Sequence, residues 1–206
     1  MSGGRAAFVL LMSCAVAAGV AALSTQTDGF RVVTSEGARR LGVARAPRTV
    51  PSVLLVDQDG ASFTLADYRG RLLAVEFIYT SCPTICGLLG ETFGQLQDLL
   101  QREPAASKLS LLSISFDVAR DGPAELKQYG ERFRAHPPGW RIAVPPAVEL
   151  QKLLTSFGVV VVPDGAGGFV HNAAISLVDA GGRISRILDP EPAPRLLAEL
   201  ADLAPK

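Results

Sequence analysis

Cys82 and Cys86 stand with three residues between them in the run Val75-Glu76-Phe77-Ile78-Tyr79-Thr80-Ser81-Cys82-Pro83-Thr84-Ile85-Cys86. A β-branched and aromatic segment ends at Thr80-Ser81, and a helical pattern begins after the pair. With Cys86 in the first turn of that helix and Cys82 on the loop entering it, the i, i+4 spacing lets both sulfurs face one point. A helix N-terminus favours anions, so thiolates placed there are acidified and become good metal ligands or nucleophiles. Pro83 fixes its own φ and donates no amide hydrogen, which suits a helix start and stiffens the loop between the sulfurs. The chemistry available is soft-metal binding or thiol–disulfide exchange.

Composition narrows the setting. The 206 residues suffice for one well-buried domain plus an appendage. With 48% hydrophobic and 19% charged residues, the body is globular and not disordered. Twenty basic and twenty acidic side chains cancel, so nothing points to nucleic acid or another polyanion as partner. Three cysteines are too few for a disulfide-stapled scaffold, which leaves the pair as a reactive or metal-binding unit.

The elements that must position the cysteines read as follows. Residues 6–23 are almost uninterruptedly apolar, with Arg5 before them. A run of that length can cross a bilayer and is long for a signal-peptide core. We expect residues 1–27 to be an N-terminal membrane anchor or signal segment. Cleavage near Val20-Ala21-Ala22 and lipidation at Cys14 are the competing readings. In each case the body is exported, to where thiols tend to oxidise. Residues 28–46, with no clear period, read as a tether, and residues 47–206 as the domain. Within the domain, 53–65 reads as a hairpin turning at Asp59-Gly60, and 72–79 as a buried central strand interrupted by Glu76. A helix follows to Pro104, then a strand at 108–116, a helix at 123–134 with Asp121 as N-cap, a short strand at 140–144 and a helix at 147–157. A Gly-rich loop at 164–168 leads into a second hairpin, 170–178 with 183–188, and a closing helix at 194–203. The order predicts an α/β sandwich with a central mixed sheet flanked by helices, its strands at 72–79 and 108–116 adjacent and parallel. It is the order of thioredoxin-like domains, and α/β sheets place their chemistry at the carboxyl ends of strands.

Three blocks, FIYTSCPTIC, SISFDVARDGP and VHNAAISLVDAGGRI, resemble in this order the signature blocks of the Sco/SenC family. That family comprises membrane-anchored, thioredoxin-like copper proteins that help to assemble the binuclear copper site of cytochrome c oxidase. The resemblance spans about residues 51–200. It implies that Cys82, Cys86 and His171 are ligands for copper, as Cu(I) or Cu(II), and that Asp117 stands beside them as a supporting carboxylate. It further implies the copper-bearing oxidase subunit, or another cuproprotein, as partner. The place would be the inner (cytoplasmic) membrane, with the soluble domain on the periplasmic or exported side. Gly87 departs from the pattern, since many members have proline there; it loosens the helix start and leaves the three ligand positions intact.

Blander readings accompany each residue. Two cysteines at this spacing in an exported protein can form an inert disulfide, although that explains neither their place at a helix start nor His171. A lone histidine is more often a satisfied surface or core residue than a ligand. His171 differs from His136 in following the Gly-rich loop and matching the family block, whereas His136, in a Pro-rich turn, reads as exposed and unimportant. Asp117 reads equally well as a strand-end carboxylate capping the next turn. Arg120 and Asp121 read as a local pair that caps a helix, and Tyr79 and Trp140 as core or cleft-wall aromatics. The leading expectation is a metallochaperone rather than an enzyme. The alternative is a thiol–disulfide oxidoreductase in which Cys82 attacks and Cys86 resolves, against which the spacing departs from the Cys-x-x-Cys of thioredoxins. A peroxidase lacks a distant resolving cysteine in the domain.

Overall fold

The computed structural model describes residues 3–27, 29, 34–82, 85–102 and 108–201. In chain order its elements are α1 (Gly3–Gln26), α2 (Ser35–Arg45), β1 (Arg48–Thr49), β2 (Leu54–Asp57), β3 (Ser62–Thr64), β4 (Leu72–Ile78), α3 (Ile85–Arg102), β5 (Leu109–Ser115) and α4 (Pro123–Phe133). There follow β6 (Trp140–Val144), α5 (Ala147–Phe157), β7 (Val161–Pro163), β8 (Phe169–His171), β9 (Ile175–Val178), β10 (Arg183–Leu188) and α6 (Ala193–Ala201).

The chain divides into two units, residues 1–42 and 43–206. In the first, the stretch Ala7–Thr25 of α1 has a mean hydropathy of 2.2 and none of it is buried. By length and composition this helix can cross a membrane. Where the sequence predicts a tether without periodicity, the structure has α2. Thr34 Oγ1 accepts the Gly37 N–H at 3.0 Å as an N-cap. Glu36 pairs with Arg39 at 2.5 Å and Arg40 at 3.1 Å, one turn away. Arg39 and Arg40, within the predicted tether, therefore sit on a helix, one whose few apolar residues hide it from a reading of hydrophobic period.

The second unit is built on a mixed sheet of eight strands in the order β1-β10-β9-β4-β5-β6-β2-β3. Strands β4, β5 and β6 are parallel, with Leu72 opposite Leu109 and Ile78 opposite Ser115, as expected for the two central strands. Antiparallel β9 and β2 flank them. Every residue of β4 is buried, which is what its near-continuous apolar run requires of a strand covered on both faces. On one face α3 packs through Phe93, whose ring lies 5.7 Å from that of Trp140 on β6. On the other, Phe157 of α5 meets Phe77 of β4 at 5.2 Å. The amphipathic helix α6 buries Leu196 and Leu200 and packs against α3. Gly90 and Gly94 bring α3 close to α4: a Cβ at Gly94 would lie 2.8 Å from the Phe133 carbonyl oxygen.

Two boundaries differ from expectation. The predicted strand at 170–178 is broken, because β8 pairs with β7 in a separate two-stranded ribbon and only β9 enters the main sheet. Asn172 makes the break by turning its side chain to backbone groups, accepting from Val160 N–H at 2.7 Å and donating to Gly158 O at 3.1 Å. The N-cap of α4 is Gly122, not Asp121, and the Glu125 carboxylate accepts the Gly122 N–H at 2.9 Å. Asp121 is turned inward instead.

Candidate metal centre

The loop bearing Cys82 leaves the carboxyl end of β4. Tyr79 is buried against the core, Thr80 and Ser81 turn, and the Cys82 N–H closes the turn on Tyr79 O at 3.1 Å. Cys82 is half-buried and packs on the core edge. Cys86 is the second residue of α3, so its backbone lies in the first turn of the helix, where the sequence places it. Its side chain, and the whole of Pro83 and Thr84, lie outside the described residues.

Asp121 fixes the start of this loop. Its buried carboxylate accepts the Thr80 N–H at 2.9 Å, the Thr80 hydroxyl at 2.6 Å and the Ser115 hydroxyl at 2.6 Å. Three donors on one carboxylate join the ends of β4 and β5 two residues before Cys82, and such charge-assisted bonds are the stronger ones. The sequence reading missed this. The available signal was Ser115, one of three serines in a buried strand whose other residues are apolar, because buried hydroxyls need partners.

His171 ends β8. Its ring packs edge-on to Phe116, centroids 5.1 Å apart, and Phe116 directly follows β5. Phe116 in turn bonds through its N–H to Ile78 O at 3.0 Å, at the end of β4. The rings of Tyr79, Phe116 and Phe169 cluster at 5.3–5.5 Å. His171 is therefore at the same carboxyl end of the sheet as Cys82, although 89 residues later. Burial lowers the affinity of its imidazole for a proton, which favours the neutral form that binds metals. Among the described residues no group of three His, Cys, Asp or Glu is arranged to hold a metal, a set from which the Cys86 thiol is missing.

Asp117 is buried just after β5 ends, and its Oδ2 is ion-paired with Arg120 Nε. Arg120 Nη1 donates to Gly167 O at 2.7 Å, on the loop before β8. Arg120 thus links Asp117 to the loop before β8, whereas the sequence reads it as half of a local pair with Asp121. His136 is exposed in its turn, and Trp140 is a core residue, both as read. Trp140 Nε1 donates to Ser113 Oγ at 2.9 Å, and that hydroxyl donates to Glu76 Oε1 at 2.5 Å.

A mixed sheet with helices on both faces and cysteines at the carboxyl end of a central strand defines a thioredoxin-like protein. The comparisons agree and go further. Residues 43–204 match the SCO1/SenC family. A Stutzerimonas stutzeri protein whose given name proposes copper binding is 31% identical over 143 residues, covering 66% of this chain and 67% of that one. The SCO1 protein homolog of Bacillus subtilis is 25% identical over 131 residues, covering 62% and 67%. The structure of Bradyrhizobium japonicum ScoI with copper bound superposes with a TM-score of 0.65 at 27% identity, over 75% of this chain and 98% of that one. This chain belongs to the SCO1/SenC family.

Proposed function

We propose that this protein is a membrane-tethered copper carrier, holding copper through Cys82, Cys86 and His171 and delivering it to the binuclear copper site of cytochrome c oxidase. The observation that carries the reading is the common placement of Cys82, the Cys86 backbone and His171 at one end of the sheet, in a chain whose relative ScoI is known with copper bound. Two thiolates and an imidazole suit soft Cu(I), and the same set serves Cu(II). Copper is cargo here. Three protein ligands leave coordination space for an incoming thiolate, so the ion can pass by stepwise ligand exchange without being freed. Residues 1–27 serve as anchor in the inner membrane, 28–46 as tether, and 47–206 as the copper-binding domain on the periplasmic side. The span-length apolar helix supports that arrangement.

A second reading keeps a specific observation in its favour: two cysteines flank a helix start, where an acidified thiol also performs disulfide exchange. Cys82 thiolate would attack a partner disulfide, and Cys86 would resolve the mixed disulfide. The partner leaves as a dithiol and the Cys82–Cys86 pair is oxidised, to be reduced again by a dithiol donor. The two readings are compatible, because only reduced cysteines accept copper. Metal content and thiol count of protein purified anaerobically with copper present separate them. One copper per chain with both domain thiols protected supports the carrier, and thiols that cycle without retaining copper support the reductase.

A further inference from the structure

We propose that Arg120 is a positioning residue that latches the His171 ribbon to the end of the sheet and thereby sets how readily the imidazole releases copper. This rests on the reading of His171 as a copper ligand. Among the described residues ribbon β7–β8 shares no ladder with the eight-stranded sheet, so side-chain contacts bear on where it sits. At its base, Asn172 bonds the backbone of Gly158 and Val160. At its tip, Arg120 reaches three partners at once. Its Nε is ion-paired with Asp117, its Nη1 holds Gly167 O at 2.7 Å, and its Cζ lies 5.5 Å over the Phe169 ring. A planar guanidinium can bind an anion, bond a carbonyl and stack on an aromatic face together, and a lysine ammonium cannot.

The geometry carries the pull through to the histidine. Phe169 and His171 are two residues apart on one strand, so their side chains share a face. Both pack on Phe116, at 5.5 and 5.1 Å. Holding Gly167 and Phe169 down therefore seats His171 at the end of β5. The anchored end of the latch, Asp117, is 4% exposed, whereas the Arg120 side chain is 48% exposed and open to an approaching partner. A client that competes for the guanidinium would loosen the ribbon as it docks.

The test uses the full chain in detergent, loaded anaerobically with Cu(I), with bicinchoninate in excess as acceptor and the release rate as readout. Arg120→Gln should fold and keep the copper stoichiometry of the parent, with a lowered thermal midpoint because buried Asp117 loses its cation, and should release copper about tenfold faster, as expected for loss of charge-assisted bonds that hold one ligand. Arg120→Lys keeps the pair with Asp117 but not the fork, and should accelerate release less; it carries the comparison should Arg120→Gln fold poorly. In a His171→Ala background, which itself releases faster, adding Arg120→Gln should change nothing further. Parental release from both Arg120 variants would overturn the latch, as would an equal acceleration with and without His171. Parental release from His171→Ala alone would instead remove His171 from the ligand set, a separate result.

Discussion

Asp121 takes both the N–H and the hydroxyl of Thr80, at 2.9 and 2.6 Å, across 41 residues of sequence. The carboxylate sits under the loop that presents Cys82 and also holds Ser115. Asp121→Asn replaces an acceptor oxygen with a donor and strands at least one buried partner, so it should lose about 1–3 kcal/mol. Ser115→Ala removes one of the three donors and also strands the buried Asp117 N–H that Ser115 Oγ accepts at 3.1 Å, so it should lose about 1–2 kcal/mol. Urea unfolding of the two variants measures both losses, and an Asp121→Asn protein as stable as the parent contradicts the bracing role.

Glu76 is wholly buried in the centre of β4, and burial pushes its carboxyl up to about 8 from the usual 4.5, with the Ser113 hydrogen bond acting more weakly the other way. The folded protein keeps a proton that the unfolded chain releases above 4.5. This contribution to stability is fully present below that value and is lost as pH rises through about 8. The slope is at most about 1.4 kcal/mol per pH unit for one proton. Glu76→Gln should remove that slope. Thermal midpoints of parent and variant from pH 5 to 8 measure it, and parallel curves would contradict a buried neutral acid.

Two glycines of α3 should respond in opposite directions. A Cβ at Gly87 meets nothing within 4 Å, so Gly87→Ala should gain about 0.5–1 kcal/mol from helix propensity alone. A Cβ at Gly94 meets the Phe133 backbone oxygen at 2.8 Å, and Gly94→Ala should lose about 1–3 kcal/mol by forcing α3 away from α4. Equal midpoints for the two variants would contradict the packing described.

What the sequence made legible follows from period and punctuation. The buried strands β4 and β5 show as apolar runs, and Gly158 with its left-handed φ of 66° closes α5 where expected. Thus their parallel pairing and the place of Cys82 at the strand end could be reached without coordinates. The ribbon β7–β8 was merged into a longer strand, since an Asn side chain substituting for backbone bonds leaves no mark in hydrophobic pattern. Arg120 and Asp121 were assigned to one another because they are neighbours in sequence. The backbone sends one to Gly167 and the other to Thr80, a choice set by tertiary contacts and not by local propensity. His171 was found through the family blocks; its packing on Phe116 is a contact between residues 55 apart that no local pattern encodes.

The most direct test of copper carriage is an anaerobic titration of the reduced full chain with Cu(II), read by visible thiolate-to-copper absorption, for the parent, His171→Ala and Cys82→Ser. The account predicts one copper per parent chain with an intense thiolate band, a weakened and spectrally altered complex in His171→Ala, and no complex in Cys82→Ser. Thiol–disulfide exchange should persist in His171→Ala and vanish in Cys82→Ser. A His171→Ala protein that binds copper like the parent, with the same absorption, would contradict the ligand set and leave the reductase reading in its place.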